Sequence, residues 1–260
     1  MGAHGSGAGI AFGVRGALSG RERDASADFR SDGRSDGWLY GRRRGHGLRP
    51  GRRKLIADML PTVRLAAPET GPIRTDALFP WPVRDLWLEV GFGSGEHLAA
   101  QACAHRDVGL IGCEVFVNGI AALLARMTQD AITNVRIFDD DARLLMRRLP
   151  DASVGRVFVL FPDPWPKTRH AARRFLSAEN LDTLARLMRD GAELRFASDH
   201  AEYVRRTLDL VGRDARFAWP AGTRADWCRP GDAIATRYEA KAERHGRACV
   251  HLQFLRRSRD

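Results

Sequence analysis

The sequence predicts an α/β protein folded around a mainly parallel, doubly wound sheet, and three observations carry that prediction. From Asp85 onward, short apolar runs alternate with segments of helical period, the order expected of parallel strands joined by crossover helices. The runs LWLEVG, VGLIGCEV and VGRVFVLF are almost continuously apolar, as strands covered on both faces must be. The polar residues that stand out follow the ends of those runs, where ligands of such sheets bind.

Three regions follow in order. Residues 1–36 are rich in Gly, Ser, Arg and Asp with almost no apolar periodicity, which reads as a disordered extension. Residues 37–84 form a basic arm and connection. Within it WLYGRRRGHGLRPGRRKLIADML interleaves two aromatics with a dense arginine cluster. From Pro50 the pattern L-I-x-x-M-L predicts a short helix ended by Pro61, and a turn-rich stretch, PETGPIRTDALFPWP, comes next.

Residues 85–260 carry the main domain. Strands are expected at 86–91, 108–115, 135–139, 154–161, 193–199 and 248–256. Helices are expected from the glycine loop to about Ala104, from Asn118 to Met127, over DARLLMRRL, over 177–190 and over HAEYVRRTLDLVGR. In the 177–190 segment, apolar residues at 181, 184, 187 and 188 share a face, and Ser177 is the expected N-cap.

Composition narrows the function. The chain has 260 residues and a net charge of +10; residues 1–54 hold twelve basic and five acidic groups, so +7 of that charge lies there. Such a tail is either a solvated arm or an electrostatic footprint for nucleic acid. No run approaches the roughly 20 apolar residues of a membrane-spanning helix, and no secretory signal pattern is present. The four cysteines show no CxxC pair and no His at metal-ligand spacing. They are expected to be reduced packing residues of a cytoplasmic protein, with no metal.

The first loop reads LEVGFGSGEH, with Glu89, Gly91, Gly93 and Gly95. This G-x-G-x-G spacing differs from the G-x-G-x-x-G that brings a pyrophosphate to a helix N-terminus, which disfavours a nicotinamide oxidoreductase. Glu89 would repel a phosphate and suits a cation, such as a sulfonium with an amino group. Glu114 ends the second strand, where a carboxylate can accept from ribose hydroxyls. Together these residues resemble the signature of S-adenosylmethionine-dependent methyltransferases of the Rossmann-like class.

After the fourth strand comes LFPDPWPKTRH. Pro162, Pro164 and Pro166 fix φ and remove backbone donors, so the loop is stiff without a ladder. Between them Asp163 offers an acceptor and Trp165 a flat face, a pair suited to a planar base such as guanine. Lys167, Arg169, His170, Arg173 and Arg174 follow, where a phosphate backbone could run. The competing reading is a proline-stiffened turn with a solvated basic face.

LFPDPWPKTRHAARRF is similar to the F-P-D-P-W-x-K-x-R-H segment of the bacterial tRNA (guanine-N7-)-methyltransferases, the TrmB family. The likeness extends over about residues 38 to 256 and includes LEVGFGSGEHL, IGCEV, the Ser198-Asp199 pair and Thr236 to Glu239. It implies a seven-stranded sheet of the class I methyltransferase type, S-adenosylmethionine as methyl donor, and N7 of guanine in the tRNA variable loop as acceptor. It also implies that Glu89, Glu114 and Asp141, with Asp140 as near competitor, contact the donor, and that Asp163 is catalytic. By the same likeness Lys167, Asp199, Thr236, Arg237, Tyr238 and Glu239 bind substrate, and the stretch Arg169 to Arg174 contacts RNA. Ala171 and Ala172 stand where relatives carry basic or aromatic residues. The rivals are a nucleic-acid amine methyltransferase, disfavoured because FPDPW lacks adjacent prolines, and a non-catalytic RNA-binding protein on the same scaffold.

Overall fold

The computed structural model describes residues 43–259, with Thr168 described in its backbone only. The expected extension at 1–36 and the start of the arm, with Trp38 and Tyr40, lie outside the described residues.

Seven strands form one sheet: β1 (Asp85–Val90), β2 (Val108–Cys113), β3 (Val135–Phe138), β4 (Val154–Leu160), β5 (Met188–Ser198), β6 (Phe217–Ala218) and β7 (Val250–Arg256). Their order is β3-β2-β1-β4-β5-β7-β6. The pairs β1–β2, β1–β4, β2–β3 and β4–β5 are parallel, while β7 runs antiparallel to both β5 and β6. β2 is buried along its whole length and β1 up to its last residue, which explains why both read as unbroken apolar runs.

Among the described residues eight α-helices accompany the sheet: α1 (Pro50–Asp58), α2 (Leu60–Val63), α3 (Glu96–Ala104), α4 (Val117–Gln129), α5 (Ala142–Met146), α6 (Ala178–Leu187), α7 (Ala201–Gly212) and α8 (Arg237–Arg244). α4 turns Ile120, Leu123, Leu124 and Met127 inward. α6 starts where expected, with Ser177 Oγ accepting from the Asn180 N–H at 3.3 Å.

Three expectations need correction. Pro61 does not end the arm helix; it occupies the first turn of α2, a position that tolerates proline because that N–H has no helical partner. The helix expected to reach residue 190 stops at Leu187, and β5 begins at Met188. There Met188 pairs beside Val154, and Gly191 takes a φ of +74°. Finally, α8 was not expected, and β6 supplies the seventh strand that the family resemblance implies but that no run in the sequence located. Five of the eight residues of α8 are charged and it buries only Glu239 and Ala242, so it carries no apolar stripe. Its one signal is Thr236-x-x-Glu239, the spacing of an N-terminal cap.

The sheet reverses its winding at β1, with β2 on one side and β4 on the other. That makes the exit of β1 the switch point where such sheets bind ligands. The opposite end is held by Asp85. Its carboxylate accepts from the Leu86 N–H and the Trp87 indole N–H, both at 2.8 Å, and pairs with Arg189 at 2.8 Å. Gly155 makes room for it, because a Cβ there would stand 2.2 Å from an Asp85 oxygen. We expect Asp85→Ala to lower the unfolding free energy by about 2–4 kcal/mol, since it strands buried donors. Arg189→Ala, which removes a half-exposed partner, should cost under about 1 kcal/mol. Urea denaturation of both variants checks the contrast.

Candidate active site

Three glycines shape the loop after β1. Gly91, Gly93 and Gly95 have φ of +71°, +59° and +74°, the left-handed region that side chains disfavour. Two of them are also close-packed: a Cβ would lie 2.7 Å from Leu123 at Gly95 and 3.0 Å from the Tyr238 ring at Gly93. Gly91 is different, because nothing lies within 4 Å of where its Cβ would be. The loop therefore turns an open backbone edge to the switch point.

Glu114 ties this loop to β2. It accepts from the Gly93 N–H at 2.7 Å and from the Val115 and Phe116 N–H groups at 2.9 Å. A carboxylate has about four acceptor sites, so about one remains for a ligand hydroxyl. Burial pushes the Glu114 carboxyl up; the three N–H groups oppose this, and the Asp163 carboxylate adds to it. The acid of the proline loop thus lies within electrostatic reach of the acid at the end of β2.

Glu89 and His97 are both buried, with 4% and 3% of their side chains exposed, and Glu89 Oε2 lies 2.8 Å from His97 Nδ1. His97, on α3, was not singled out in the sequence; its signal was only its place in GEHL.

The acids after β3 are otherwise committed. Asp139 pairs with Arg64 at 2.8 Å and Asp140 with Arg43 at 2.9 Å. Asp141 caps α5 through the Arg143 N–H at 3.0 Å and pairs with the Arg143 guanidinium at 2.7 Å. Each carboxylate here has its own arginine. Asp163, by contrast, is exposed and has no ion-pair partner among the described residues.

The proline loop is strained and anchored. Phe161 and Trp165 have φ of +50° and +41°, an unfavourable region for bulky side chains. Arg174 holds the loop, donating from Nε to the Pro164 carbonyl at 2.8 Å and from Nη2 to the Trp165 carbonyl at 3.4 Å. Its guanidinium stacks 5.2 Å from the Tyr203 ring. Arg174 was expected to contact RNA; with 4% exposure it faces inward instead, because two loop carbonyls need a donor where prolines supply none. Trp165 has neighbours from the basic run itself. The Arg173 guanidinium lies 5.0 Å over its ring and His170 meets it edge-on at 5.9 Å. Desolvation, Arg173 and Lys167 push the His170 imidazole down. Lys167 and Arg169 are exposed beside this cluster.

The last motif divides in two. Thr236 Oγ1 accepts from the Glu239 N–H at 3.3 Å and caps α8. Glu239 is buried between Arg229 at 3.0 Å and His251 at 3.5 Å. Arg237 and Tyr238 face out, with Arg237 Nη2 donating to the Tyr238 hydroxyl at 3.0 Å. The Tyr238 ring also packs on Gly93, so this motif borders the glycine loop. Asp199 pairs with Arg247 at 3.1 Å.

Residues 84–252 match a family described as a putative methyltransferase. A tRNA (guanine-N(7)-)-methyltransferase of Rhodospirillum rubrum is 48% identical over 228 residues, covering 86% of this chain and 89% of that protein. Proteins of the same name from Paramagnetospirillum magneticum and a Ruegeria species are 50% and 47% identical. They cover 85% and 84% of this chain, and 93% and 87% of their own lengths is matched.

The anchorage of the proline loop has a titration signature. Burial pushes the Tyr203 phenol up to about 12. A raised phenol favours the folded, neutral form, so this contribution is complete below about pH 10 and is lost as the pH rises through 12. Phenolate absorbance should show a step near pH 12 that Tyr203→Phe removes. Arg174→Met should lower the unfolding free energy by about 2 kcal/mol and speed proteolysis between residues 161 and 173, read by urea denaturation and by mapping the cleavage sites.

Proposed function

The chain belongs to the family of tRNA (guanine-N(7)-)-methyltransferases, and from that premise we propose that residues 85–260 transfer a methyl group from S-adenosylmethionine to N7 of guanine in the tRNA variable loop. The observation that carries the site assignment is the junction at Gly93, whose N–H donates to Glu114 at 2.7 Å and on which the Tyr238 ring packs. Asp163 on the proline loop acts electrostatically on Glu114, which itself ties down the glycine loop.

The residues at the switch point fit the donor. The open edge at Gly91 gives it room. Glu89 has a histidine rather than an arginine as its partner, and its carboxylate is the group that faces the cationic end of the donor. Glu114 keeps about one acceptor site for a ribose hydroxyl. Asp140 is the better candidate for the adenine edge, because both oxygens of Asp141 already meet Arg143. When bound, S-adenosylmethionine supplies an electrophilic methyl on a sulfonium.

Guanine N7 bears a lone pair and no proton, so the chain need not remove one before transfer. Its work is alignment, which can account for about 7–11 kcal/mol of a barrier. Asp163, on a loop stiffened by three prolines and held by Arg174, accepts from the N1–H and N2–H edge of guanine. It also stabilises the positive charge that develops on the ring. Lys167, Arg169, His170 and Arg173 lie on the same side and grip phosphate. Asp199, Arg237 and Tyr238 border the nucleotide, with Thr236 and Glu239 shaping the start of α8 beneath them. Residues 43–84 extend the basic surface.

Incubation of unmodified tRNA transcripts with methyl-labelled donor, followed by nucleoside mapping, tests the reaction: label should appear at N7 of a variable-loop guanosine, and label at another base or none would overturn the proposal. Asp163→Asn should lower single-turnover rates at least about 100-fold while leaving donor affinity within about threefold. Glu114→Ala should weaken donor binding by about 10- to 100-fold in calorimetry.

A further inference from the structure

α3 turns two polar residues inward one helical turn apart, His97 and Gln101, beside the apolar pair Leu98 and Ala102. Gln101 is accounted for, since its Nε2 donates to the Asp232 carbonyl at 2.6 Å. His97 is not. It meets Glu89 in a place where both are almost fully buried, and desolvating a carboxylate costs several kcal/mol that an apolar pair of similar volume would avoid.

The arrangement is rigid. The Phe158 ring meets His97 edge-on at 4.6 Å and in turn meets Trp87 edge-on at 5.9 Å, so the imidazole has one place to be. A carboxylate without a proton only accepts, so with Glu89 in that form the donor of this bond is Nδ1–H. That bond uses about one of the four acceptor sites of Glu89, and among the described residues His97 is its hydrogen-bonding partner. On its other side His97 lines a small crevice with Arg195, Phe161, Thr236, Glu239 and His251. Of these, Arg195, Glu239 and His251 are the charged and titratable groups that face it from β5, α8 and β7.

The choice of histidine also has electrostatic meaning. Asp139, Asp140 and Asp141, at the neighbouring strand end, are each matched by an arginine, which cancels their charge. An imidazole can donate a hydrogen bond while neutral, and so fixes a carboxylate without cancelling it. His97 is such a donor to Glu89.

We propose that His97 is a positioning residue for the methyl donor: through Nδ1–H it holds Glu89 in the orientation that presents a free carboxylate oxygen to the donor's cationic end, without touching the donor itself. This rests on the reading that Glu89 and the glycine loop form the donor site.

The test compares His97→Leu, which removes the donor group, with His97→Asn, whose side-chain N–H can replace Nδ1–H. Losing a hydrogen bond to a charged group should raise the donor Kd and KM of His97→Leu by about 10- to 100-fold, while kcat at saturating donor stays within about threefold and tRNA affinity within about twofold. His97→Asn should recover donor binding to within about fivefold of the parent. Unchanged donor affinity in His97→Leu, or equal loss of donor and tRNA affinity in both variants, would overturn the proposal. Should His97→Leu not fold, ¹⁵N-histidine spectra of the parent chain decide. The ring signal that His97→Asn deletes should shift when S-adenosylmethionine is added, and a signal unmoved at saturation would overturn it. Glu114→Ala separates the two readings. If it loses donor binding and His97→Leu does not, the positioning role alone fails; if both keep donor binding, the donor-site reading fails.

Discussion

Glu114 collects three backbone N–H groups, one from the glycine loop and two from its own segment, and the geometry of the switch point follows from that. Loops after adjacent parallel strands have no ladder between them, so something must fix their separation. A carboxylate can do so because it accepts several bonds at once and each bond to a charged acceptor is worth more than a neutral one. The close packing around it depends on the result. A Cβ at Gly119 would stand 2.1 Å from the Gly93 carbonyl oxygen, so α4 can start this near the loop only as glycine. Tyr238 then rests on Gly93 from the other side, which brings α8 to the same rim.

The proline loop solves a different problem. It must project an acid towards the cleft without hydrogen bonds of its own, because prolines remove donors and leave carbonyls unpaired. Two bulky residues at positive φ cost about 1–3 kcal/mol each. Arg174 offsets that cost by donating to two of the loop's carbonyls while Tyr203 backs its guanidinium. One arginine of a basic run is thereby withdrawn from the surface, and the rest stay beside Trp165.

Much of this was legible in the sequence, for a physical reason. Strand ends of a doubly wound sheet carry the ligand-facing residues, so unusual polar groups after apolar runs mark the site before any contact is known. Glu89, the three glycines, Glu114 and Asp163 are of this kind. What stayed hidden depends on tertiary contact. A run such as RHAARR does not say which arginine turns inward, since that is decided by loop carbonyls ten residues earlier. Nothing in DDDAR reveals that arginines as distant as 43 and 64 occupy two of its acids while its own Arg143 takes the third. α8 escaped notice because a helix held by its cap and by one buried acid shows no apolar period. His97 escaped because a histidine next to a glycine loop looks like any polar residue of a first turn.

Charge is organised on two length scales. The chain carries +10 overall, which would repel a cationic donor if net charge decided binding. It does not, because exposed charges are screened beyond about 8 Å at physiological salt whereas buried ones are screened much less. At long range the exposed arginines set the field that a polynucleotide meets. At short range the acids of the cleft have partners other than arginine: Glu89 meets the His97 imidazole, Glu114 accepts from backbone amides, and Asp163 has no ion-pair partner among the described residues. The arginines paired with the acids after β3 sharpen this contrast, since they remove competing negative charge from the neighbouring strand end and leave the cation-binding potential concentrated where β1 and β4 part.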